Sequence, residues 1–280
     1  FNLDGFRAHV ETLLASGQAF RAFAPGMAGQ LELLRSAAAS LAFCLGWPAT
    51  LLALTGVALA WRAREGALLG LLVPAVSYHL TFLAVILYCY DRFMLPGAVL
   101  GALFAARALQ HGLARGGAWR VLAGAALALC VGLGLARAVA LGLHLTHDGR
   151  EHVEAWLTAR ARAGDVVGQA APALFMPRLR AEGLSVAGPD VEELERAEAR
   201  FLLVNPAWSR RVEAGSIERA FLDRLEHGQL PYRLALEHRW RPSFPLPFDP
   251  AELDRPGSRV VSNLARVNPL VRVYERLEAV

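Results

Sequence analysis

Four long stretches of the chain carry almost no charge: residues 37–60, 66–88, 93–109 and 121–145. A helix needs roughly 17–25 apolar residues to cross a bilayer, and each stretch meets that length. A buried hairpin would explain any one of them, but four in succession predict a polytopic helical membrane region. The third stretch is the shortest and needs Arg107 to snorkel to the interface. Small residues recur every four positions, at Gly97, Gly101 and Ala105 and again at Gly132, Ala136 and Ala140. That spacing lets helices approach closely, although a chain this rich in Ala and Gly also produces it by chance.

On either side the pattern changes. Leu3, Phe6, Val10 and Leu13/Leu14 fall at helical spacing, with Asp4 placed to serve the N-terminus, which predicts an amphipathic arm lying on a membrane surface. Beyond residue 146 short apolar runs alternate with amphipathic ones. "DVVGQA" (165–170), "LSVAG" (184–188), "RFLLVNP" (200–206), "YRLALEHRW" (232–240) and "NPLVRVYERL" (268–277) predict strands. "DGREHVEAWLTARARAG" (148–164), "DVEELERAEA" (190–199) and "SIERAFLDRLEHG" (216–228) predict helices, the last with Ser216 before its periodicity and Gly228 after it. Strands alternating with helices predict a small α/β domain with a mainly parallel sheet. The expected organisation is an amphipathic segment over 1–36, four transmembrane helices over 37–146 and the α/β domain over 147–280.

Composition sharpens this picture. Of the 280 residues 55% are hydrophobic and 19% charged, too apolar for an ordinary soluble protein and too polar for a purely membrane one. All 29 basic residues are Arg, as GC-rich bacterial coding produces. No basic stripe is interleaved with aromatics, so no nucleic-acid partner is expected. Cys44, Cys89 and Cys130 sit one per apolar region without metal-ligand spacing, as small membrane residues do. The chain opens "FNLDGF", without Met or a signal peptide, which suggests a piece of a longer protein.

Loop charge sets an expected orientation. Arg62 and Arg64 lie between the first two stretches, and Arg107, Arg115 and Arg120 follow the third, so these loops are expected on the cytoplasmic side. The "YDR" junction at 90–92, the N-terminal arm and the α/β domain are then extracytoplasmic, on a bacterial inner membrane. Trp61 and Trp119 fall at one interface and Tyr88 and Tyr90 at the other.

Candidate chemistry is sparse. "GLGLAR" (132–137) lacks the third glycine of a dinucleotide loop and follows no strand. His144, His147, Asp148, Glu151 and His152 crowd one helical segment; a polar helix face explains them better than a metal site, which needs a better-defined ligand set. Tyr78 and His79 fall near the middle of the second stretch, and intramembrane ionisable groups are functional candidates, with a His bonded to a neighbouring helix as the plainer account. Arg137 lies deeper than an anchor needs; snorkelling and a polar cavity both account for it. Asp91 and Arg92 interrupt "LYCYDRFMLP" (87–96), either as a tight turn with a snorkelling Arg or as a phosphate site at the membrane surface, where a guanidinium fork matches phosphate geometry.

"YDRFMLP" followed by small apolar residues resembles an element of lipid-linked sugar transferases, the glycosyltransferase family 39 and aminoarabinose-transferase-like enzymes of the GT-C class. Residues 6–57 are similar to the outer loop and span before that element in bacterial members, and "DVVGQAAPALFMPRLRAEG", "FLLVNP" and "SNLARVNPLVRVYERL" resemble the C-terminal extracytoplasmic domain in a subset of them. The resemblance implies transfer of a sugar from a polyprenyl-phosphate carrier to an acceptor on the outer face, with carrier and membrane lipid as partners and the acceptor unspecified. It implies that Arg92 contacts the carrier phosphate and that Asp91 orients Arg92 or limits its reach. The family's catalytic carboxylate lies in a first outer loop expected upstream, so Asp4, Glu11 and Glu32 inherit no role. No cofactor is specified, and a divalent cation stays open. The other readings are a membrane-anchored module binding a glycan or protein without catalysis, and a transporter half, for which the expected inverted repeat is not seen.

Overall fold

The computed structural model describes residues 22–179, 185–187, 190–210, 212–213, 215–255 and 257–277. The predicted amphipathic arm at residues 3–14 lies outside them. The chain forms two compact units, Phe1–Ala136 with Gly257–Ser262, and Arg137–Pro256 with Asn263–Val280.

The first unit is helical. Helix α1 (Met27–Leu45) and helix α2 (Trp47–Arg62) replace the single span expected at 37–60. Their axes bend by 110° at Gly46. Pro48 has no N–H to give the ladder and disfavours a helical residue before it, and Gly46 takes φ 76°, a conformation that glycine adopts at little cost. The second stretch is also segmented: α3 (Gly66–Gly70), α4 (Leu72–Tyr78), a π-helical turn (His79–Leu83) and α5 (Ala84–Ile86). Pro74 cannot donate to the carbonyl of Gly70, where α3 stops. Helix α6 (Leu95–Arg115) follows a 3₁₀ turn over Asp91–Met94, and α7 (Gly117–Thr146) carries the boundary between the units. Three helices are long and apolar enough to cross a membrane, or four if α1 and α2 form one broken span. That property suggests a membrane protein.

Packing in this unit depends on small residues. A Cβ on Gly56 of α2 would lie 1.8 Å from the Phe104 carbonyl oxygen of α6, so the two backbones touch there. Gly97 and Gly101 face Leu41 and Leu45 of α1, and Ala105 is buried beside Ala53, Ala60 and Phe104. The first small-residue stripe is therefore a packing face. Gly132, in the second stripe, faces open space. The Arg107 guanidinium grips both carboxylate oxygens of Glu65.

The second unit is a five-stranded sheet with helices on both faces. Helix α8 (Gly149–Thr158) starts at an Asp148 cap whose carboxylate accepts from the Arg150 N–H. Then come β1 (Val166–Gln169), β2 (Ser185–Ala187), α9 (Val191–Arg196), β3 (Phe201–Val204), α10 (Pro206–Ser209), α11 (Ile217–Glu226), β4 (Tyr232–His238) and β5 (Val271–Arg276). The order is β2-β1-β3-β5-β4. β1 pairs parallel with β2 and β3, but β5 runs antiparallel to both β3 and β4. The sheet is therefore mixed, correcting the expectation of a mainly parallel one. Strand–helix alternation stops at β4. A proline-rich loop and two 3₁₀ turns then return the chain between β3 and β4 in the opposite sense.

Central β3 is buried on both faces, which explains its continuous apolar run. Phe201 and Leu203 pack with Val153 and Leu157 of α8, Phe175, Val271 and Val273. Leu202 and Val204 pack on the other face with Leu194 of α9 and Phe221, Leu222 and Leu225 of α11.

Candidate lipid-phosphate site

The hairpin around Arg92 is built from backbone outward. Leu87 closes α5 in the left-handed region, φ 51°, and its carbonyl accepts from the Ala22 and Phe23 N–H groups. Asp91 then opens the 3₁₀ turn, and Pro96 in the first turn of α6 costs no hydrogen bond. The Asp91 carboxylate accepts the Arg92 backbone N–H at 2.7 Å and the Ser262 hydroxyl. The Asp91 N–H donates to the Val261 carbonyl at 3.0 Å, and Ser36 of α1 donates to the Arg259 carbonyl at 2.7 Å. Residues 257–262 thus form a strap, within the first unit, that clamps hairpin and α1 together. Asp91 holds Arg92 through its backbone; its carboxylate is spent on the turn and the strap.

Arg92 itself is exposed, and among the described residues it has no ion-pair partner. Its guanidinium lies over the rings of Tyr90 (5.1 Å) and Phe93 (5.5 Å), contacts that attract a cation and support its orientation. The rings continue inward. Phe93 meets Phe82 edge-on at 5.3 Å, and Phe82 stacks on Tyr78 at 5.1 Å. This aromatic rail connects Arg92 with Tyr78.

Tyr78 and His79 line one cleft of about 630 Å³ together with Phe93, Leu41, Leu83 and Pro96. Such a volume lies within the roughly 300–1,000 Å³ of ordinary ligand sites. The cleft is almost wholly apolar, with the Tyr78 and His79 side chains among its few polar groups. His79 begins the π-helical turn, a local widening found often at functional sites. The arrangement can hold an apolar chain in the cleft and an anion against Arg92.

The remaining candidates lie elsewhere. Arg137 belongs to the second unit, where its guanidinium sits over the Phe248 ring at 5.6 Å. The histidine-rich segment is divided among separate structural contacts. His144 is buried and bonded through Nδ1 to Asn268, His147 stacks on Trp240, and His152 stacks on His238 at 3.9 Å. Among the described residues no group of three or more His, Cys, Asp or Glu is arranged to hold a metal ion.

Sequence reasoning missed Phe82, Phe93, the π turn and the strap. The i,i+4 spacing of Tyr78 and Phe82 was a legible signal for the rail. Nothing local marks Val261 or Ser262 as partners of Asp91, since the contact closes over 171 positions. No family model, no curated protein and no solved structure matches this chain.

Proposed function

We propose that this chain is a portion of a GT-C-type membrane glycosyltransferase that moves a sugar from a polyprenyl-phosphate carrier to an acceptor on the outer face of a bacterial inner membrane, and that it holds the carrier. The observation that carries this reading is one apolar cleft, lined by Tyr78, His79 and Phe93, joined by ring contacts to an exposed arginine without an acidic partner among the described residues. The shared chemistry with the carrier is direct: an isoprenoid chain needs an apolar cleft and its phosphate needs a fixed cation.

In the transfer, the bond between the sugar's anomeric carbon and the phosphate oxygen breaks, and that oxygen takes the electron pair. Negative charge grows on the phosphate, so a guanidinium already in place lowers the barrier. Arg92 takes that role, and no residue of this chain is assigned as the base that activates the acceptor. The finer expectations, four spans and an outward-facing second unit, belong to the same proposal.

Binding of a fluorescent short-chain polyprenyl phosphate to the chain in nanodiscs tests the reading. Arg92→Ala should weaken binding about tenfold or more, as loss of a charge-assisted contact does, and Arg92→Lys should lie between. The uncharged polyprenol should bind wild type as weakly as the phosphate binds Arg92→Ala. Equal phosphate binding by wild type and Arg92→Ala would sink the proposal.

A further inference from the structure

At the other end of α6 from Arg92 a second cleft, of about 680 Å³, opens between the end of α2 and the α6–α7 turn. That turn is tight: Gly116 and Gly117 take φ 72° and 52°, and Gly112 approaches Ala123 so closely that a Cβ would lie 2.9 Å away. Leu52, Leu59 and Leu122 give the cleft an apolar floor, while Arg62, Arg115 and His111 stand among its polar lining. The described lining holds no acid. Its fourth basic residue, Arg107, is neutralised by Glu65, but Arg62 and Arg115 form no ion pair among the described residues. The Arg115 guanidinium lies over the exposed Trp119 ring at 5.4 Å.

Two uncompensated guanidinium groups beside an apolar groove match an amphiphile with an anionic head. A free anion has no use for the leucine floor, and a neutral lipid has none for the arginines. We propose that this cleft binds an anionic phospholipid of the surrounding leaflet, its phosphate contacted by Arg62 and Arg115 and an acyl chain lying along Leu52, Leu59 and Leu122. The indole of Trp119 backs Arg115, as aromatic residues do at headgroup depth. The site is independent of the carrier reading.

Native mass spectrometry of the intact chain, with equal phosphatidylglycerol and phosphatidylcholine added to the detergent, tests this. Each arginine near a membrane surface favours an anionic lipid about fivefold, so wild type should prefer phosphatidylglycerol by about 30-fold. R62Q or R115Q alone should each lose about fivefold, and the double variant should bind both lipids alike. R62K/R115K should keep the preference, which separates lost charge from lost folding. R92A should keep it too, whatever becomes of carrier binding. Glycerol phosphate, the head without the chains, should compete poorly. An unchanged preference in R62Q/R115Q, no preference in wild type, or competition by glycerol phosphate equal to the whole lipid would overturn the proposal.

Discussion

Asp91 and Arg92 are adjacent, yet their side chains serve different ends. Asp91 organises the turn and receives Ser262, while Arg92 stays exposed over two rings. Ser262→Ala should therefore loosen the hairpin by roughly 1 kcal/mol, the usual worth of one hydrogen bond, without touching the guanidinium. Faster amide exchange at Asp91, whose N–H donates to Val261, is the expected readout. Asn268 is a second such centre. It is fully buried in the second unit at φ 50°, a conformation that Asn tolerates better than most residues. Its Oδ1 accepts the Gly149 N–H at 3.0 Å and the Trp240 N–H at 3.2 Å, and its Nδ2 reaches the Trp240 carbonyl and His144. Asn268→Ala leaves several buried polar groups unpaired and should cost about 3 kcal/mol or more. Asn268→Asp keeps the acceptor and should cost less; thermal unfolding followed by tryptophan fluorescence ranks them.

At the scale of elements, periodicity located the five strands of the second unit and its helices α8, α9 and α11, but not the short α10. β3 was legible because a central strand is apolar throughout, and α11 because Ser216 caps it, its hydroxyl accepting from the Arg219 N–H at 3.1 Å. What local pattern did not convey was continuity and direction. The break at Gly46 lies inside an unbroken apolar run, and only the sequence Gly-Trp-Pro hints at it. The antiparallel entry of β5 depends on which edge is free when the chain returns, which no short window records. Helix contacts are similar: the stripe on α6 was legible from spacing, but the closest approach is at Gly56, on a face of α2 with Ala53 and Ala60 that spacing did not single out. Gly56→Ala should destabilise the first unit by about 1–3 kcal/mol, as overpacking does. Ala at Gly132, which faces open space, should cost nothing measurable; thermal denaturation in one detergent compares the pair.

Across the whole molecule the two units are held by different physics. The first joins close small-residue contacts between apolar helices to a cluster of larger side chains around Leu33, Leu83 and Met94, while the second has two apolar cores around a sheet with charged partners such as Arg272 with Glu237 and Glu226. Acid sensitivity should belong to the second. Burial holds the His238 imidazole below its ordinary value of 6.5, and the stacked His152 adds to this. The unfolded chain then takes up a proton more readily than the folded one. Stability is full above pH about 6.5 and falls as pH drops from there through the lower folded value. Unfolding of the second unit, measured between pH 8 and 5 as about a three-unit range, should show this loss, and His238→Gln should lessen it.

The strap at 257–262 also has a consequence in time. Ser36 waits 223 positions for its partner and Asp91 waits 171 for Ser262. At synthesis rates of about 5–20 residues per second, the hairpin stands unclamped for roughly 10–30 s after it is made. The first unit is thus begun early and finished almost last, and until the ribosome passes residue 262 its Arg92 loop exists without the lock that gives it one shape.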